Sequence, residues 1–291
     1  MEVSVELVSA FTSNGSGGNP AGVVFRADHL SYEQKLLIAQ MVGYSETAFV
    51  SSSDTADFHV SFFTVAGEVD FCGHATLATF SMMYQKDILS PGKYTQETKA
   101  GVLAVDIQPD GKVMMQQKLP QWSDKYSPGD IASLIGIDSE VLEGVSLPIQ
   151  VVSTGLADLI IPVPAGCLDK LRPNHDAITK FCREHNLVGI HAFELCDSES
   201  SYTASCRNFA PLFGIEEESA TGSSSGALAC YLSRYHNVQS EYLFEQGRAM
   251  NCRSEIFACV EVIDSEVRTI NVGGVAQLIG SKELVISQDE Q

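Results

Sequence analysis

The sequence predicts an α+β protein of two similar units, each a set of strands wrapped around one enclosed helix. Three observations carry that expectation: a weak internal repeat of three motifs in the same order, short β-rich runs in both halves, and one segment per half that is apolar all round. The chain of 291 residues is long enough for two units at the roughly 100–200 residues usual for a domain.

The first recurrence pairs Asn19-Pro20-Ala21-Gly22-Val23-Val24-Phe25 with Gly155-Leu156-Ala157-Asp158-Leu159-Ile160-Ile161, a small-residue turn entering a strand. Ser31 followed by Gln34 then reads as a capping box. Leu37, Ile38, Met41 and Val42 form one apolar stripe before Gly43, which predicts a surface helix. The second recurrence pairs Ala48-Phe49-Val50 with Ala192-Phe193-Glu194. Each is followed by an aromatic-rich strand, Phe58 to Phe63 in one half and Tyr202 to Phe209 in the other. The third pairs Gly73-His74-Ala75-Thr76-Leu77-Ala78 with Gly222-Ser223-Ser224-Ser225-Gly226-Ala227-Leu228-Ala229, where glycine opens a helix that other structure must enclose. Turn formers at Pro120, Ser123, Ser127, Pro128 and Gly129 read as a linker near Gln121 to Pro128. The expected domains are therefore 1–122 and 123–274, with residues 275–291 returning to the first.

Composition narrows the function. Hydrophobic content of 44% with 19% charged residues is that of a folded soluble protein, and no stretch reaches the roughly 20 apolar residues that span a bilayer. The acidic, alternating start MEVSVELVSAF is unlike a signal peptide, so a cytoplasmic location is expected. The eight cysteines then read as reduced thiols. They form no C-x-x-C pair and the histidines show no H-E-x-x-H spacing, so no metal is expected. A net charge of −19 disfavours nucleic acid and anionic membranes as partners. An anionic substrate would need a local positive field.

Glycine before an enclosed helix lets a ligand approach the unpaired N–H groups of the first turn, which carry about half a positive charge. Gly73-His74 and Gly222-Ser223 are two such starts, and an approximate two-fold packing would turn both toward one cleft to hold a carboxylate or a developing enolate. The same glycines can simply cap turns. Glu46, between the Gly43 helix stop and a strand, is placed to accept and donate a proton at a cleft edge, or is a solvated loop charge. Cys72 at a helix start is a possible second base or a small core residue. His74 can donate to an oxyanion or shuttle a proton, or be a structural histidine. Gly15-Ser16-Gly17-Gly18 lacks the Lys-Ser/Thr of a phosphate loop and reads as a flexible loop.

At GNPAGVV, SETAFV, EVDFCGHATLA, RNFAPLFGIEEESATGSSSGAL, FEQGR and VGG, spread from Asn19 to Gly274, the chain resembles the phenazine-biosynthesis PhzF-like family. The resemblance implies a diaminopimelate epimerase-like fold. Its two similar domains, each a β-barrel-like sheet wrapped around a central helix, are related by pseudo-two-fold symmetry, with the active site in the cleft between them. It also implies a cofactor-independent isomerase, with Glu46 moving a proton between carbons of a small carboxylate. His74 and Glu218 are then further catalytic candidates, and Asn19, Ser45, Gly73, Thr221, Gly222 and Ser223 bind the substrate. Self-association as a homodimer fits the family.

Three departures from the family pattern bear on the substrate. Glu218-Ser219-Ala220-Thr221-Gly222-Ser223 stands where Asp-Pro-Ala-Thr-Gly-Ser is usual. Val8 stands where an early aspartate is common, and Ser16 where a phenylalanine often precedes the Gly-Asn-Pro turn. Ser219 occupies the approximate partner position of Cys72, which disfavours two-thiol racemisation. Beside the isomerase stand two alternatives: an amino-acid epimerase or racemase using Cys72, and a non-enzymatic carboxylate- or partner-binding protein.

Overall fold

A computed structural model describes residues 1–286; the tail of the expected returning segment, residues 287–291, lies outside the described residues. The chain forms a mixed α+β fold of two compact units, one made of Met1–Gln116 with the region from Gly273, the other of Gln117–Val272.

In the first unit, β1 (Glu2–Ala10) pairs antiparallel with β2 (Asn19–Val24). Helix α1 (Tyr32–Val42) crosses to β3 (Thr47–Ser51), which lies parallel to β2 with Gly22 opposite Thr47. Strand β4 (Phe58–Thr64) runs antiparallel to β3 and turns into β5 (Gly67–Val69). Helix α2 (Gly73–Gln85) leads to β6 (Gly92–Thr98), parallel to β4, and β7 (Gly101–Ile107) and β8 (Val113–Gln116) follow as antiparallel neighbours. The strand Ala276–Val285 closes on β1 with a bulge at Leu7/Val8.

Every side chain of α2 from His74 to Met83 is buried, and the helix packs against β1, β2, β3, β7, β8 and the closing strand. That enclosure is why its sequence shows no polar face. The Ser31 capping box and the left-handed Gly43 stop (φ 78°) bound α1 as the residues predict. Its buried face, however, is Ile38 and Ala39, while Leu37 and Met41 are exposed, because a helix needs only a narrow stripe to cover the rim formed by β3 and β4.

The second unit repeats these connections. Strand β9 (Gln121–Tyr126) pairs with β10 (Ile149–Ser153) after the short helices α3 (Pro128–Ile135) and α4 (Ser139–Glu143). The segment read as a linker is thus a strand, and Pro128 starts a helix at the position where proline has no N–H to lose. Trp122 anchors the strand by an edge contact with Tyr235 and by Arg234 lying over its ring.

From β10 onward the order is that of the first unit. Strand β11 (Ala157–Pro162), helix α5 (His175–His185) and β12 (Gly189–Leu195) form a parallel crossover, with Asp158 opposite Gly189. Strands β13 (Ala204–Ala210) and β14 (Ile215–Glu218) form the hairpin, and α6 (Gly222–Tyr235) leads to β15 (Glu241–Gln246), parallel to β13. Strands β16 (Ser254–Ile263) and β17 (Glu266–Gly274) follow. Helix α6 buries Ser224 to Leu232. Gly226 lets α6 approach Gln117: a Cβ there would lie 1.9 Å from Gln117 Oε1.

Candidate active site

Glu46 sits in the bend between α1 and β3. Its carbonyl accepts a hydrogen bond from Gly22 N (3.1 Å), and the Gly22–Thr47 register holds the next residue in β3. Cys72 is the N-cap of α2 in extended conformation (φ −142°), and its side chain makes no capping hydrogen bond. Gly73 has open space where a Cβ would stand, meeting only Phe71 Cε1 at 3.9 Å. The start of this enclosed helix is therefore uncovered above Gly73, as an anion site at a helix N-terminus requires.

His74 joins the other two side chains. Its Nδ1 lies 3.3 Å from Cys72 Sγ and its Nε2 3.3 Å from Glu46 Oε2. His74 is 8% and Glu46 19% exposed. Glu46 Oε2 is buried and makes no hydrogen bond; the His74 contact is close without being aligned. Burial pushes the His74 pKa down, against the opposing pull of the Glu46 charge. The Cys72 thiol and the Glu46 carboxylate thus lie beside opposite nitrogens of the imidazole. The three ligand atoms of Glu46, Cys72 and His74 lie within 4.8 Å of one another.

In the second unit, Thr221 is the N-cap of α6, and its hydroxyl donates to Glu218 Oε2 (2.7 Å) instead of capping the helix. Gln246, fully buried on β15, locks the turn. Its Nε2 donates to Glu218 O (2.7 Å) and Thr221 Oγ1 (3.0 Å), and its Oε1 accepts from Thr221 N (3.2 Å). Gln117 Nε2 donates to Gly222 O (2.9 Å), and Thr154 Oγ1 to Ser223 O (3.1 Å). The structure thus groups Glu46, Cys72, Gly73 and His74 in the first unit, and Glu218, Thr221, Gly222 and Ser223 in the second. Asn19 is buried at the start of β2, and Ser45 is exposed in the bend beside Glu46.

Sequence reasoning missed Gln246 and Gln117 as the residues that hold the second helix start. The signal for Gln246 was present in FEQGR, a polar residue ending an apolar strand. It also missed a polar chain inside the second unit. Asn208 Nδ2 lies 3.2 Å from His191 Nδ1 and donates to Ser224 Oγ (3.0 Å), and Ser224 Oγ donates to Asp158 Oδ2 (2.5 Å). Burial pushes Asp158 up to about 6 and His191 down to about 3. All four residues are buried, so the chain is a packing network without access to a substrate.

The eight cysteines are all free, and no helix among the described residues is long and apolar enough to cross a membrane. Residues 8–281 match the model of the phenazine biosynthesis-like protein family, PhzC-PhzF. The chain is 34% identical over 257 residues to an uncharacterized isomerase of Bacillus subtilis, YfhB, covering 85% of this chain and 87% of that protein. It is 28% identical to the trans-2,3-dihydro-3-hydroxyanthranilate isomerase of Pseudomonas aeruginosa, covering 92% and 94%. The crystal structure of a Bacillus anthracis phenazine biosynthesis protein of the PhzF family superposes with a TM-score of 0.88 at 30% identity, covering 98% of this chain and 100% of that one.

Proposed function

The chain belongs to the PhzC-PhzF family and is an enzyme of the isomerase class, and from that premise we propose a cofactor-independent transfer of a proton between carbons of a small carboxylate-bearing metabolite. Glu46 is the general acid/base in this reading. The observation that carries it is the Glu46 carboxylate oxygen, buried, without a hydrogen bond, and 3.3 Å from a neutral histidine at an open helix start. A carboxylate oxygen that is not tied up by donors has its lone pairs free for a C–H proton, and the same group can return the proton to a second carbon without leaving the site.

His74 turns its single N–H to charge developing on the substrate, while the first-turn N–H groups at Gly73 attract the substrate's carboxylate. Cys72 packs against the imidazole and fixes its tautomer. In the second unit, Glu218 acts by positioning: it accepts the Thr221 hydroxyl proton and so frees the N–H groups at Gly222 and Ser223 for a polar substrate group. The Pseudomonas relative's named substrate, trans-2,3-dihydro-3-hydroxyanthranilate, carries the carboxylate this reading requires and is the first compound to test.

Glu46→Gln keeps the shape and removes the base. It is expected to lower kcat by at least about 10²-fold, the lower range for loss of a general base, while the dissociation constant of the same compound changes little. A variant that turns over at the wild-type rate overturns the assignment.

A further inference from the structure

The polar chain inside the second unit touches no substrate, yet it ends at the start of α6. Ser225 N donates to Thr221 O (3.1 Å), the first internal bond of that helix, so the N–H groups of Gly222, Ser223 and Ser224 have no partner within it. The carbonyls of the same turn are pinned by other elements, Gly222 O by Gln117 and Ser223 O by Thr154. Ser224 is pinned through its Oγ, which donates to Asp158 Oδ2 (2.5 Å) and accepts from Asn208 Nδ2 (3.0 Å). A buried carboxylate is therefore one hydroxyl away from the first turn.

Negative charge at that place acts against an anion on the same turn. From the Asp158 oxygen through Ser224 to an anion on the first-turn N–H groups is at most about 9 Å, with hydrogen bonds of about 3 Å. Two like unit charges about 9 Å apart, in an effective dielectric of about 20–40, change an anion's affinity about five- to twentyfold. Asp158 is 2% exposed and its Oδ1 has no hydrogen bond; the Ser224 hydroxyl and the Gly189 N–H are the donors that reach its carboxylate. Burial raises this carboxyl to about 6, so it passes from mostly neutral at about pH 5 to ionised at about pH 8. Burial also pushes His191 on β12 down to about 3 and Cys182 on α5 up to about 12, so both stay neutral across that range. Glu218 on β14 is a second carboxylate at this turn, where it accepts the Thr221 hydroxyl.

We infer that Asp158 sets how tightly the second helix start holds an anion: its carboxylate, tied to the first turn of α6 through Ser224, weakens the site while ionised and restores it when a proton neutralises it. Asp158 is a positioning and affinity-setting residue, since it reaches the ligand only through Ser224 and through its field. Linkage makes the effect reciprocal, so an anion bound at Gly222 and Ser223 holds the proton on Asp158 more firmly by the same factor. The inference rests on the reading that these N–H groups take a polar substrate group; it does not rest on the role of Glu46.

Trifluoroacetate is a suitable probe, a carboxylate that keeps one negative charge over the whole pH range, with its binding read from the backbone amide resonances of Gly222 and Ser223 in the isotope-labelled full chain. The wild-type dissociation constant is expected to rise about five- to twentyfold from about pH 5 to about pH 8. Asp158→Asn keeps Glu218 and is expected to bind with a constant near the wild-type low-pH value throughout. In the wild type itself the Asp158 carboxyl carbon resonance gives a second reading: saturating probe should raise its midpoint by about 0.7–1.3 pH units, the logarithm of the same ratio. An equal pH dependence in Asp158→Asn, or an Asp158 midpoint that the probe leaves in place, overturns the inference while the anion site stands. Amides of Gly222 and Ser223 that do not respond overturn the reading of the second helix start, and the inference with it. A Glu46→Gln enzyme with full turnover overturns the base and leaves this inference standing.

Discussion

Replacing Gly22 by alanine would test how the fold aims the base. A Cβ at Gly22 would lie 2.8 Å from Thr47 Oγ1 and 3.0 Å from Thr47 Cγ2, and Thr47 is fully buried and stiff at χ1. Overpacking of this kind costs about 1–3 kcal/mol. Restricting the unfolded chain returns about 0.4–1 kcal/mol, because Gly22 does not need a left-handed backbone. The net expectation is a loss of about 0.5–2 kcal/mol, read as a lower urea midpoint at unchanged slope. Because Thr47 follows Glu46, and Gly22 N holds the Glu46 carbonyl, the strain displaces the base as well. A displacement near 1 Å predicts a fall in kcat of up to about 10²-fold. In a Thr47→Ala background both close atoms are gone, and Gly22→Ala should then be near neutral, giving a coupling of about 1–2 kcal/mol in the double-mutant cycle. A cycle that closes without coupling, or a Gly22→Ala enzyme with wild-type stability and turnover, would refute this account of how β2 and β3 place Glu46.

Three further outcomes follow from the same structure. Gln246→Leu removes the acceptor of Thr221 N and the donor to the Glu218 carbonyl and Thr221 Oγ1, and is expected to cost about 2–4 kcal/mol by denaturant titration and to raise KM more than it lowers kcat. Asp158 has its folded pKa raised from 3.8 to about 6, so the native state binds the extra proton and stability falls as pH rises from about 4 to about 6; the wild type minus Asp158→Asn difference should carry this slope, about 3 kcal/mol in all, and a flat difference would discard it. Cys72→Ser should lower kcat no more than about tenfold, far less than Glu46→Gln, whereas loss as deep as that of the glutamate variant would favour the epimerase reading with Cys72 as a base.

How much of this was legible in the sequence depends on the range of the interaction. The capping box at Ser31 and Gln34 and the apolar segments of α2 and α6 are local signals, and the structure places elements there. The repeat was legible as order, and both units do share the run from a parallel crossover through a hairpin to an enclosed helix. Glu46 and His74 were each legible as candidates, but their 3.3 Å contact was not, because it depends on β3 and the start of α2 meeting in space. Residues 121–126 misled because turn-forming residues and an exposed strand share a composition; the Trp122 contacts decide between them only once Arg234 and Tyr235 are in place. Gln246 and Asn208 show the limit most clearly, since a buried amide is recognised by the partners it satisfies and those lie far away in sequence.

The central claim is that one carboxylate carries the proton, and deuterium exchange tests it most directly. Incubated in deuterated water with trans-2,3-dihydro-3-hydroxyanthranilate or a related carboxylate that the wild type turns over, wild-type enzyme should place deuterium on carbon, and Glu46→Gln, still binding the compound, should place none. Carbon-bound deuterium appearing at the wild-type rate in the Glu46→Gln enzyme would contradict the account.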